Sequence, residues 1–188
     1  MKAEYTFRRV VHTFTDLKHG ADILIEKSEV EPKDSYYTDM GALLLTAFTL
    51  EAYLNHLLQK KTPYYEQLER LSIDDKFSFL CKHFGWITDK SARPFQTVTQ
   101  LFKFRNAIAH GKSEVLRGTK IVELDGDFDD RQPRTRWEEF CTHENAKRAQ
   151  EDICTVIEKL NNLAGFGGYP FTRGLGTGSF KPLSSEKP

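Results

Sequence analysis

The stretch from Ser35 to Lys60 constrains this chain more than any other part of it. Leu43, Leu44, Ala47, Leu50, Leu54 and Leu57 recur along it at helical spacing, and Pro63 closes it. The pattern predicts a long helix with one apolar face. Its most apolar part, Gly41 to Leu58, is interrupted by Thr46, Thr49, Glu51, Asn55 and His56. That is too polar for a membrane span, so the expectation is an amphipathic helix buried in a soluble domain.

Other segments supply helices to pack beside it. Phe7, Val10, Val11, Phe14, Leu17, Ile23 and Leu24 predict a first helix over residues 5–29, weakened by Gly20 and ended by Pro32. A third helical region spans Pro63 to Phe84, with a second piece starting at Ile73-Asp74-Asp75 and a stop at Gly85. A fourth runs from Ser91 to Ala109 on Phe95, Val98, Leu101, Phe102, Phe104 and Ile108, with Gly111 as its stop. From Lys112 to Glu139 the helical period fails. Lys120 to Leu124, followed by Asp125-Gly126, predicts a short hairpin or a long loop there. Thr142 is the expected N-cap of a last helix carrying Ile153, Val156, Ile157, Leu160 and Leu163 up to Gly165. Residues 166–188, rich in Gly, Pro, Ser and Thr, are expected to form a flexible tail. Gly174-Leu-Gly-Thr-Gly178 within it has neither the preceding strand nor the following helix that a phosphate-binding loop needs. The predicted fold class is all-α: an antiparallel bundle of four to five helices over residues 1–165, with a short irregular or hairpin insertion and the tail.

A length of 188 residues suits one domain, and fourteen Phe among 39% apolar residues can fill its core. The formal net charge is zero, so no overall field directs the chain to nucleic acid or to a membrane. Cys81, Cys141 and Cys154 are odd in number and irregularly spaced, which favours reduced thiols and a cytoplasmic location. The N-terminus lacks the apolar core of a signal peptide. Cys81-Lys-His83 and Cys141-Thr-His143 nominally offer two Cys and two His. Positions two apart on a helix point nearly opposite ways, so neither a metal nor a cofactor is expected. His12, His19 and His56 have no evident partner, and Phe77, Phe79, Phe84 and Trp86 read as core.

The residues that can do chemistry lie in Arg105-Asn-Ala-Ile-Ala-His-Gly111. Five positions along a helix correspond to about 500°, or 140° beyond one turn, so Arg105 and His110 do not share a stripe. Asn106 and His110, four apart, do. Histidine titrates near neutrality and serves as general base or acid. Arginine offers a planar fork suited to phosphate oxygens and to a phosphoryl transition state. Together they suit metal-free RNA cleavage, with His110 taking the ribose 2′-hydroxyl proton, Arg105 steadying the phosphorane and Asn106 supporting. On spacing alone the commoner reading is that these cations are placed at a helix C-terminus to suit its dipole.

Arg105-Asn106-x-x-x-His110 resembles the Arg-x(4–6)-His motif of the HEPN superfamily, including the polar residue directly after the arginine. Leu45-Thr-Ala-Phe-Thr-Leu-Glu-Ala-Tyr-Leu-Asn55 on an early long helix fits the same order of elements, and the resemblance covers about Ser35 to Gly165. It implies a bundle that dimerises and sets two motifs across one cleft, with Arg105 and His110 as the catalytic pair. Many members are metal-independent ribonucleases of toxin–antitoxin, abortive-infection and other defence systems; others bind nucleotides, RNA or proteins without cutting. Members controlled by adenylation carry a tyrosine two positions after the histidine, where this chain has Lys112.

Two further sets bear on the site. Glu51 and Asn55 share a face of the long helix, where burial demands partners. They either tie it to a neighbour or support the motif. Lys103, Lys112, Arg117 and Lys120 concentrate positive charge around the motif and are the expected RNA contacts, with a salt-dependent attraction. The following acidic run, Glu123, Asp125, Asp127, Asp129 and Asp130, reads as a solvated loop. The charge points to RNA as a partner; the resemblance implies RNA, a second copy of the chain completing a composite active site, and an antitoxin or regulatory protein, with no membrane expected.

Overall fold

The computed structural model describes residues 3–33, 35–119, 121 and 132–183. In chain order these form β1 (Ala3–Arg9), α1 (Thr13–Val30), α2 (Tyr36–Lys61), α3 (Tyr65–Leu68), α4 (Ile73–His83), α5 (Phe95–Ala109), α6 (Arg136–Phe140), α7 (His143–Leu163) and β2 (Gly176–Pro182). The chain is thus mostly helical, with one small antiparallel sheet.

The long apolar helix occupies the centre. α1, α3, α4, α5 and α7 all pack against α2, and Leu43, Ala47, Leu50, Leu54, Leu57 and Leu58 are fully buried on it. Side-chain caps set two of its neighbours. Ser72 accepts the Asp75 N–H at the start of α4, and Thr142 accepts that of Asn145 at the start of α7. Asp74 and Asp75 in the first turn of α4 and Lys82 and His83 in its last complement the helix dipole. Gly85, at φ 68°, ends it in a left-handed turn that a side chain would resist.

A helix surrounded in this way must find a partner for every polar group it buries. Thr46 donates to Gln150 Oε1 at 2.9 Å, and Gln150 passes the link to Asp22 at 2.7 Å, joining α2, α7 and α1. Tyr53 donates to Asn161 Oδ1 at 3.0 Å. Asn161 in turn donates to the carbonyls of Gly167 and Gly168 at 3.2 and 3.3 Å, fixing the turn after α7. No helix among the described residues is long and apolar enough to cross a membrane.

Three expectations need correction. The first helix begins at Thr13, not residue 5, because residues 3–9 form β1. Its partner is β2, from residues expected to be a loose tail, with Tyr5 opposite Phe180 and Phe7 opposite Gly178. The fold is therefore not purely helical. The Tyr5 ring lies across Gly178, where a Cβ would collide with it. Between the helices and β2, Phe171 is buried 6.5 Å from the Phe14 ring and anchors the segment to the core. The short helix α6 also falls inside the stretch expected to be irregular. The expected hairpin lies outside the described residues apart from Ile121, which is exposed.

Two tests follow from this packing. All residues of β1 and β2 are exposed, whereas Phe171 is buried. Ending the chain after Gly174 should leave the thermal midpoint nearly unchanged, while Phe171→Ala should cost about 3–5 kcal/mol in denaturant unfolding. The second concerns His56, which sits among the rings of Phe14, Phe166 and His12 at 5.3, 5.7 and 5.5 Å. Burial, with His12 and Lys60 nearby, pushes its pKa down to about 4. The unfolded chain then binds a proton near pH 6.5 that the folded chain refuses, so stability falls as pH drops from about 6.5 towards 4. His56→Phe should flatten that part of the stability–pH curve.

Candidate active site at the end of the fifth helix

α5 delivers the motif to one end of the molecule and divides it between two directions. Arg105 turns inward to α2. Its Nη2 lies 3.1 Å from Glu51 Oε2, and its guanidinium stands 5.6 Å from the centre of the Phe48 ring. Nη1 donates to Asn106 Oδ1 at 3.1 Å. Nε is buried with no hydrogen-bond partner among the described residues. The Arg105 and Glu51 side chains retain about a fifth to a quarter of their exposure, 21% and 24%. The pair is shielded enough to hold its orientation and open enough to meet a ligand.

His110 goes the other way. It caps α5 with φ −117° and ψ 21°, just outside the helical region, and its N–H donates to the Asn106 carbonyl at 3.0 Å. The residue is exposed. At Gly111 a Cβ would lie 3.2 Å from the Ala107 carbonyl oxygen, so glycine lets the chain turn tightly over the helix end. Asn106 is the link between the two: its side chain holds Arg105 and its carbonyl holds the backbone of His110. No hydrogen bond joins the Arg105 and His110 side chains among the described residues, in keeping with their five-residue spacing.

The other expected site residues separate. Glu51 meets the motif. Asn55, one turn further on, instead accepts from Nζ of Lys76 at 2.9 Å, and Lys76, a residue only 4% exposed, needs the contact. Lys103 is exposed on α5, and Lys112 and Arg117 are exposed in the irregular segment after it. Lys120 lies outside the described residues. Among the described residues no three His, Cys, Asp or Glu side chains are grouped to hold a metal ion.

Several arrangements were missed in the sequence. Thr135 and Glu138 form a reciprocal capping box at the start of α6, a signal the sequence does carry as Thr-x-x-Glu. Arg93 clamps Asp152 with two hydrogen bonds of 2.9 and 2.8 Å, across a distance no local pattern reveals. Ser35, Asp39 and His143 line an open cleft of about 680 Å³, with Ser28 bonded behind them. Asp39 is buried and accepts from Ser28 at 2.5 Å and Ser35 at 2.9 Å, while His143 Nδ1 lies 3.2 Å from Ser28 Oγ. The serine stands between acid and imidazole here. In a nucleophilic triad the imidazole stands between. The cluster joins α1, α2 and α7 in an order unlike that of a triad.

Glu51→Ala should free the Arg105 guanidinium; measured by hydrogen exchange, the Arg105 side chain should lose protection while Asn55→Ala leaves it unchanged. The chain matches no family model, and no curated protein or solved structure matches it.

Proposed function

We propose that this chain is a metal-independent endoribonuclease of HEPN type, acting in the cytoplasm as a homodimer in a toxin–antitoxin or phage-defence setting. In this reading the helices form an antiparallel bundle of four to five members, and two copies face each other across one cleft. The observation that carries it is the division of the motif. An exposed imidazole sits at the end of α5, and a guanidinium one turn earlier is oriented by Glu51 and Asn106.

The chemistry assigned to these groups is ordinary phosphoryl transfer within RNA. His110 of one protomer takes the 2′-hydroxyl proton, and the freed oxygen attacks the adjacent phosphorus. The P–O5′ bond breaks, the 5′-oxygen leaves with a proton from the second imidazole of the dimer, and a 2′,3′-cyclic phosphate remains. Arg105 neutralises charge on the non-bridging oxygens. Glu51 partly offsets the arginine charge at rest; its return is a guanidinium already set in orientation. Dimerisation supplies base and acid from separate chains, which a five-residue spacing on one helix does not supply.

A second reading is a catalytically silent module that binds RNA, nucleotide or a partner protein. The 3.1 Å contact that engages Arg105 within its own chain favours it. Cleavage assays separate the two. The ribonuclease reading expects cutting of RNA but not DNA, undiminished by EDTA, with losses of about 10²–10⁴-fold in His110→Ala and a comparable loss in Arg105→Ala. Equal activity in His110→Ala overturns it, and salt-dependent RNA binding without cutting establishes the silent module.

A further inference from the structure

Beside the motif, α5 and α6 enclose a groove of about 580 Å³ lined by Gln100, Lys103, Phe104, Ala107, Arg136, Trp137 and Phe140. Phe104 forms its buried floor, with the Phe140 ring 5.4 Å away. Trp137 and Phe140 are half-buried, so part of each ring faces the groove. α6 has only five residues, yet the Thr135–Glu138 capping box secures its first turn: the Glu138 carboxylate accepts the Thr135 N–H at 2.6 Å. The indole is consequently carried on a fixed support.

The rim is cationic. Lys103 stands on the α5 side and Arg136 on the α6 side, both exposed, and no lining side chain is acidic. Arg148 extends the charge at the Gln100 end, with Nη2 3.5 Å from Gln100 Oε1 and 2.6 Å from Asn145 Oδ1. Its Nε is buried without a hydrogen-bond partner among the described residues. An aromatic floor with cations on both rims is complementary to a stacked base flanked by phosphates. An apolar peptide would fit the floor and leave the rim charges unanswered.

The groove also points at the motif. Lys103 and His110 are seven positions apart, about 700° of rotation, so His110 continues the Lys103 line to within roughly 20°. Along the axis that is about 10 Å. A strand whose phosphate meets Lys103 thus runs along the face of α5 that ends at His110. Arg105 of the same protomer, on the opposite side of the helix, does not line this groove.

We propose that the groove between α5 and α6 binds single-stranded RNA, one base stacking on Trp137 and Phe140 while its flanking phosphates meet Lys103 and Arg136. The proposal deepens the ribonuclease reading, on which it rests for the fate of the bound strand, and gives that site a base-stacking position outside the motif.

The test measures binding in the full-length His110→Ala protein, by anisotropy of a short fluorescein-labelled oligouridylate. Trp137→Ala should weaken binding about 5- to 150-fold, and Trp137→Phe, which keeps a stacking ring, should stay within about threefold of the parent. Lys103→Glu and Arg136→Glu change exposed residues and leave the core alone. Each should weaken binding and lower the salt slope by about one. Unchanged affinity in Trp137→Ala overturns the proposal. Should that variant fail to fold, unchanged affinity in the Lys103→Glu, Arg136→Glu double variant overturns it instead. Conversion of a dimer to a monomer by Trp137→Ala, with RNA affinity retained, also overturns it by assigning the groove to the subunit contact. A parallel cleavage assay on the unsubstituted chain keeps the two readings apart. Cutting with groove variants unaffected in binding removes the groove alone; groove-dependent binding without cutting removes the ribonuclease alone.

Discussion

The central position of α2, with five helices packed against it, is the constraint from which the rest of the structure follows. A helix that central cannot leave its buried polar side chains to water, so several of them become fixed points for a neighbour. Thr46 fixes α7 through Gln150, Tyr53 fixes the turn after α7 through Asn161, and Asn55 fixes α4 through Lys76. Glu51 fixes α5 through Arg105. Leucine burial provides most of the cohesion, since each fully buried side chain contributes about 1.5–3 kcal/mol. Hydrophobic contact has no direction, however, and it is the four polar links that set which residues face one another.

The Glu51–Arg105 link belongs to this set and differs from the others in exposure. Lys76 and Tyr53 are sealed in the core, and breaking their contacts leaves an unpaired buried group. Arg105 and Glu51 remain partly open to solvent, so an incoming phosphate can compete for the guanidinium at modest cost. His110, held to Asn106 by its backbone only, keeps its ring free at the helix end. The groove beside α6 adds a component that the motif lacks, an aromatic surface on Phe104, Trp137 and Phe140.

Much of this was legible in local pattern. The extent of α2, the Thr142 cap, the start of α4 at Ile73, the stop at Gly85 and the five-residue offset between Arg105 and His110 all follow from spacing and residue type. The first strand was not legible, because Phe7, Val10, Val11 and Phe14 match a helical period as well as Tyr5 and Phe7 match an alternating one. The choice fell to β2, more than 160 residues away in the chain, and pairing across such a distance leaves no local trace. The α6 helix was hidden for the opposite reason: its capping box is local, but five residues are too few to show a period.

The amino-acid sequence by itself determined the central helix, the helical class and the placement of an arginine, an asparagine and a histidine at the end of α5. Those properties rest on periodicity and capping, which act within a few residues. The tertiary structure alone decided that Glu51 holds Arg105 while Asn55 holds Lys76, although the two lie one turn apart on the same face. It also decided that Trp137 meets α5 beside Lys103. Such pairings depend on the relative rotation of packed helices, and that rotation is set by the whole core at once.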